Sequence, residues 1–298
     1  MFPSFLPPAV KELTEPTSIA LAEEIAIQPM ITPLRHQPIP TTYVHQGSGG
    51  TPILLIHGFD SSVMEFRRLL PLLAAKNEVW AVDLWGFGFT ERSPETPVNP
   101  DTIKTHLYSF WKTLIAQPVI LVGTSMGGAV AIDFCLTYPE AVEKLVLIDS
   151  AGLAKGTAIS KFMFPPLDYW AAEFLRNPKV RDRIVQTSFK NPNLLSADAQ
   201  LCSNLHLELP HWHQAIISFT KSGGYGSFRS QLSAIQQPTL ILWGDSDRIL
   251  GIKDAEQFKM AIANSQLIWI ANCGHLPHLE QPETVAQHIL HISMIVSL

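Results

Sequence analysis

From Pro52 onward, short apolar runs alternate with segments of helical periodicity. The runs PILLIHG (52–58), EVWAVD (78–83), PVILVG (118–123), EKLVLID (143–149), PTLILWG (238–244) and SQLIWIA (265–271) are apolar at nearly every position rather than at every second one. That is the pattern of strands covered on both faces. Between them lie VMEFRRLLPLLAA, IKTHLYSFWKTLIA, SMGGAVAIDFCLTYP, DAEQFKMAIA and PETVAQHILHI, which read as helices. The alternation predicts an α/β fold, with a mostly parallel central sheet and helices on both of its faces. Upstream, ITPLRHQP and TTYVHQ are expected to add an antiparallel edge hairpin.

The alternation breaks once, between Gly152 and Gln237, where some eighty residues separate two strands. A structureless loop of that length is implausible in a compact domain. Its segments FMFPPLDYWAAEFLRN, KVRDRIVQTSF, SADAQLCSNLHLEL and HWHQAIISFTK read as short helices punctuated by Pro165, Pro178, Pro192 and Pro210. A helical cap inserted over the carboxyl ends of the strands is expected. The chain then divides into an N-terminal arm (1–36), a first part of the core (37–152), the cap (153–236) and a second part of the core (237–298). Within the arm, SIALAEEIAI reads as one amphipathic helix.

Composition removes several function classes. A net charge of -5, from 21 basic and 26 acidic residues, offers no basic surface to release counterions from nucleic acid. The three cysteines, Cys135, Cys202 and Cys273, include no Cys-x-x-Cys pair, so neither a disulfide framework nor a zinc site is expected, and a reducing compartment fits. No apolar run reaches the length of a membrane span,. The opening MFPSFLPPAV lacks a basic start and carries three prolines, unlike a signal peptide. A soluble cytoplasmic protein is the expectation. The glycines of GSGG, GFGFT and SGGYGS lack the Lys-Ser/Thr of a phosphate loop, so no nucleotide cofactor is proposed.

Residues 122 to 130, VGTSMGGAV, place a lone hydroxyl between an expected strand and an expected helix. A side chain projects over a sheet there only if the backbone turns sharply, and neighbouring Cβ atoms would clash. Gly123 and Gly127 remove that clash, so GTSMG fits the nucleophile elbow G-x-S-x-G with Ser125 at its apex,. The amide of Met126 then opens a helix and points positive charge at an attacked carbonyl oxygen. A serine needs a base, and the base an orienting carboxylate. Two later strand ends carry the right chemistry: GDSDRI after PTLILWG, and NCGHLPHLEQP after SQLIWIA.

With LLIHGF, GTSMGG, WGDSD and CGH in this order, the chain resembles the α/β-hydrolase fold family from about Thr41 to its end. The resemblance implies Asp247, last residue of the G-x-x-D turn, as the acid, and His275 of the C-G-H turn as the base. It implies the amide of Phe59 as second oxyanion donor beside that of Met126. No metal and no cofactor are implied. The expected activity is acyl transfer to water: a serine hydrolase cleaving a carboxylic ester of an apolar substrate. Hydrolysis of a carbon–carbon bond, transfer to an alcohol or peroxide, and slow-turnover ligand reception are alternatives on the same three residues. Serine at the elbow disfavours the relatives that attack with aspartate. GTSMGG is similar to the elbow of ring-cleavage-product hydrolases, and HGFDSSVMEFRRLLPLL to plastid-type hydrolases.

Other polar residues receive plainer readings. Asp245 competes with Asp247 but suits a turn cap or a partner for Arg248. Asp149, ending LVLID, ranks third as the acid. His57 is expected to support its loop, and His278 to face core or solvent. His206, His211 and His213 lack a carboxylate at metal-site spacing and are expected to line a pocket or the surface. Asp133, inside an apolar helix, calls for an internal partner. Trp85 and the cap tryptophans are expected to be core, or to wall an apolar cleft.

Overall fold

The computed structural model describes residues 1–154 and 164–294. Eight strands form one sheet: β1 (Ala26–Thr32), β2 (Arg35–Gln46), β3 (Ile53–Ile56), β4 (Val79–Val82), β5 (Val119–Thr124), β6 (Val142–Ile148), β7 (Thr239–Gly244) and β8 (Ser265–Ile270). Their order is β1-β2-β4-β3-β5-β6-β7-β8. β1 and β2 pair antiparallel, β2 meets β4 antiparallel, and every other pairing is parallel. All six apolar runs are strands, as their pattern predicts. β8 differs in being largely half-exposed, because as the last strand it is covered less completely.

Successive residues of the inner strands supply two separate cores. Leu54, Ile56, Leu121, Leu145, Leu147, Ile241 and Trp243 face one side, where they meet Ile103, Leu107, Val130, Phe134 and Phe258 from the helices Pro100–Phe110, Met126–Thr137 and Lys253–Ala261. Ile53, Leu55, Ile120, Val122, Val146 and Leu242 face the other side, against Leu70, Leu73, Val285 and Ile289 from Leu70–Ala74 and Pro282–Met294. This period of two explains why the runs contain no polar face: each strand buries both.

The N-terminal residues pack differently from expectation. SIALAEEIAI is not one helix; the helix Pro16–Glu24 ends early and Ala26 and Ile27 enter β1. The edge hairpin exists with its turn at Pro33–Leu34, inside ITPLRHQP, so RHQP and TTYVHQ are parts of one long strand. Leu6, Val10, Leu13, Leu21 and Ala22 join the second core, so these residues are part of the packed structure. VMEFRRLLPLLAA is likewise divided, into a 3-10 turn at Val63–Phe66 and the helix from Leu70.

Between β6 and β7 lie helices Leu167–Arg176, Pro178–Ser188, Ala197–Asn204 and Trp212–Lys221. Phe162 and Met163, which begin the first expected helical segment, lie outside the described residues.

Candidate active site

Strand register gathers the candidate residues along one edge of the sheet. Ile56 pairs with Gly123, Thr124 with Ile148, Ile148 with Leu242, and Gly244 with Ile270. The loops carrying His57, Ser125, Asp149, Asp247 and His275 therefore leave neighbouring strands at the same end, where open α/β sheets place ligands.

Ser125 takes φ 51° and ψ -119° between β5 and its helix, a conformation that costs a non-glycine residue about 1–3 kcal/mol. The surroundings enforce it. The Ser125 amide donates to Ile148 O, and its carbonyl accepts from Gly128 and Ala151. A Cβ at Gly123 would lie 2.2 Å from Gly127 O, and one at Gly127 2.2 Å from Ile56 O. Helix, elbow and β3 thus approach backbone to backbone, which only glycine permits. The loop amides nearby are engaged: Gly58 N–H donates to Glu65 Oε2 at 3.0 Å. Those of Phe59 and Met126 have no acceptor among the described residues.

His275 Nδ1 lies 3.0 Å from Asp247 Oδ2, with both residues buried. Asp247 Oδ1 meanwhile accepts from the amides of Ile249 and Leu250. Burial would raise the Asp247 carboxyl, but the hydrogen bond and charge of His275 and these two amides hold it below its ordinary value,. An ionised Asp247 fixes the proton on Nδ1 and leaves Nε2 as the basic nitrogen. His275 and Ser125 line the same cavity, of about 240 Å³.

Asp245 does not approach His275. It accepts from the amides of Asn272 and Cys273 and so shapes the turn that carries the histidine; its partner is not Arg248. Asp149 is wholly buried, accepts from Gly244 N–H at 3.1 Å, and shares a cluster with Asp247 and His275 whose ligand-type atoms lie within 4.8 Å of one another. Burial, followed by the neighbouring Asp247 charge, pushes the Asp149 acid well above the ordinary carboxyl range. Both effects favour its protonated form,.

Three polar residues that the sequence pattern left unmarked surround the site. Glu65 is buried and accepts from Gly58 N–H and the Thr124 hydroxyl, and His278 Nε2 lies 3.2 Å from its Oε1. Burial would raise it, yet His278 and then His57 hold it at about 2. Glu280 accepts from Gly274 N–H at 2.7 Å and from the amides of Lys190 and Asn191, so one carboxylate spans the His275 turn and the chain after Pro178–Ser188. Asp60 accepts from Arg181, His206 and Trp212. The one sequence signal is at Glu65, an acid between Met64 and Phe66, and such acids require buried partners; Asp60, in Gly-Phe-Asp-Ser-Ser, carries none.

These contacts correct two expectations. His206 neither lines the pocket nor reaches the surface: it is fully buried on Asp60. His213 bonds Glu173, and His211 borders a different depression. Trp85 and Trp212 are core, as expected, whereas Trp170 is exposed and neither core nor cavity wall; the apolar lining of the cavity includes Phe59, Leu175, Ile184, Phe189, Ile249 and Leu279. His57 supports its loop as expected, facing Gly58 O and accepting from Leu84 N–H. Asp133 has its internal partner in Lys104 Nζ at 2.9 Å, and His278 is a core histidine.

A serine on a strained strand-to-helix turn, above a mostly parallel sheet whose later loops bring an aspartate onto a histidine, defines the α/β-hydrolase fold. The chain belongs to the Alpha/beta hydrolase family, whose sequence profile matches residues 53–288. It is 34% identical to the "Alpha/beta hydrolase domain-containing protein VTE7" of Arabidopsis thaliana, over 97% of this chain and 89% of that one. With the 2-hydroxymuconate semialdehyde hydrolase of a Pseudomonas strain it shares 27% identity, over 80% of this chain and 85% of the other. In fold it is similar to a thermophilic esterase from Thermogutta terrifontis, with a TM-score of 0.76 at 24% identity, covering 90% and 97% of the two chains. Among the described residues, no helix is long and apolar enough to cross a membrane.

Proposed function

We propose that the protein is a serine hydrolase that cleaves a carboxylic ester of an apolar substrate through an acyl-enzyme. The observation that carries this reading is the 3.0 Å contact of His275 Nδ1 with Asp247 inside the cavity that Ser125 also lines. In the proposed reaction Ser125 Oγ attacks the ester carbonyl while His275 Nε2 takes its proton. The new oxyanion sits against the amides of Phe59 and Met126, each worth about 3 kcal/mol of barrier. His275 returns the proton to the departing alcohol, and the acyl group stays on Ser125. Water, deprotonated by His275, then releases the acid and restores the hydroxyl. No metal or cofactor enters these steps.

The cavity wall supports an apolar substrate, because most of the surface it exposes is apolar,. We take the helices of 153–236 as a cap that shapes this wall over a core of 37–152 and 237–298. Three buried free thiols fit a cytoplasmic setting,.

Labelling with a fluorophosphonate, followed by mass mapping, tests the assignment: the probe is expected on Ser125 alone. A panel of p-nitrophenyl esters should be turned over by the native protein and not by Ser125→Ala. Folded protein that neither labels nor exceeds Ser125→Ala in rate would overturn the hydrolase reading and favour ligand reception. Products of a ring-cleavage dienoate, run alongside, separate ester from carbon–carbon hydrolysis.

A further inference from the structure

The helix Leu167–Arg176 is amphipathic in the reverse sense. Its inward side carries Asp168, which is bonded to Lys221 Nζ at 2.7 Å, together with Ala172 and the cavity-lining Leu175. Its outward side carries Leu167, Trp170 and Phe174, at helical spacings of three and four that stack them on one face,. Trp170 is 62% exposed and Phe174 64%, and Phe164 and Tyr169 are each more than half exposed beside them. A cluster of exposed aromatic side chains of this size marks a contact surface.

Two further observations identify what it contacts. Ile184 and Ile249 line the Ser125 cavity and are themselves 44% and 41% exposed, so the rim of the cavity is apolar as well. Exposed Arg176, Lys179, Arg183 and Lys190 follow the aromatic stripe, with no ion pair among the described residues. From 176 to 190 the sequence offers a single acid, Asp182, although the whole chain is acidic at -5. Tryptophan, tyrosine and phenylalanine settle at the boundary between headgroups and acyl chains, and nearby cations are drawn to anionic headgroups. A protein partner would need acidic charge and an apolar groove together; an anionic bilayer supplies both charge and apolar depth over any area.

We propose that the helix Leu167–Arg176 docks the protein peripherally on an anionic lipid surface, with Trp170 and Phe174 entering the acyl boundary and Arg176, Lys179, Arg183 and Lys190 facing the headgroups. Docking in this pose turns the cavity mouth toward the layer in which an apolar ester partitions. That last consequence rests on the proposed hydrolase activity, whereas the docking itself does not.

The full-length Ser125→Ala protein should float with vesicles of equimolar phosphatidylcholine and phosphatidylglycerol, and markedly less with phosphatidylcholine alone. Raising the salt concentration should release it. Trp170→Ser combined with Phe174→Ser is expected to lower the bound fraction about tenfold, and Arg176→Glu with Lys179→Glu and Arg183→Glu to remove the preference for anionic vesicles. Circular dichroism and thermal melts of these variants report folding independently of any turnover. Native protein that ignores both vesicle types, or aromatic variants that bind as well as their parent, would overturn the proposal. So would a dimer, seen by light scattering, that the aromatic substitutions dissolve without any vesicle binding having been present.

Discussion

Asp60 and Arg181 are 121 positions apart in the chain and meet at 2.5 Å, Oδ2 to Nη1, with both side chains buried. The same carboxylate accepts from His206 Nε2 at 3.0 Å and Trp212 Nε1 at 2.8 Å. Burial works to raise the acid, and His206, Arg181 and Trp212 outweigh it and hold Asp60 below its ordinary range. One residue after Phe59, this acid ties the loop that follows β3 to three points in the helical insertion. Asp60→Ala strands the Arg181 guanidinium without its counter-charge. A loss of about 3–5 kcal/mol is expected in urea denaturation, and a smaller one for Asp60→Asn, which keeps an acceptor oxygen. A loss under about 1 kcal/mol for the alanine variant would show that water replaces the carboxylate.

Asp247→Asn replaces an acceptor by an amide that also satisfies the wrong imidazole tautomer. The expected result is a kcat lower by about 10⁴ with KM little changed. Asp245 touches backbone amides of the turn instead, so Asp245→Asn should lower kcat by less than about tenfold. Steady-state kinetics on one activated ester compares the two, and equal losses would mean that the acid has been misassigned.

Glu65 makes stability depend on acid. Its carboxyl, with an ordinary value of 4.5, is held at about 2 in the folded protein. The unfolded chain therefore takes up a proton first as pH falls, and the stabilisation, full above 4.5, is lost between 4.5 and 2. Glu65→Gln is expected to be less stable at neutral pH by on the order of 2 kcal/mol, and less sensitive than the native protein to acid across that interval. Thermal melts from pH 7 to 3 measure both effects.

Asp149 acts in the opposite direction. Its acid is raised in the folded state by burial and by Asp247, so its contribution is full below the unfolded value and is lost as pH rises towards the folded one. Asp149→Asn keeps an oxygen for Gly244 N–H and an amide donor for Asp247, and it removes the proton that the folded state must hold. The variant should equal the native protein in stability at low pH and exceed it at pH 8, by on the order of 1 kcal/mol. Melts at pH 3 and pH 8 check this, on either side of the ordinary value of 3.8; a variant that gains nothing over the native protein between the two would show that the Asp149 acid is not raised.

Strands β3 to β8 and the elbow were legible in the sequence because their causes are local. A doubly covered strand needs an apolar residue at every position, and a serine held at positive φ against two backbones needs Gly123 and Gly127 within two residues of it,. The pairing of Asp247 with His275 was expected on motif order, since each motif marks the end of its own strand. The arm was misread at its helix end, where Ala26 and Ile27 suit helix and strand alike; pairing with Tyr43 and Thr42 decided for the strand.

The supporting shell was not legible. Asp60, Glu65 and Glu280 satisfy amides and side chains as far as 152 residues away, and nothing near them in the chain marks those partners. The same holds for the aromatic face of Leu167–Arg176, where Trp170 is expected in the core or along a cleft and the fold turns it outward with Phe174. Local sequence sets which conformation each segment prefers and which chemistry it carries. Only the tertiary structure decides which distant groups share a low-dielectric space, and there the energy of a charge depends on neighbours that no local pattern encodes.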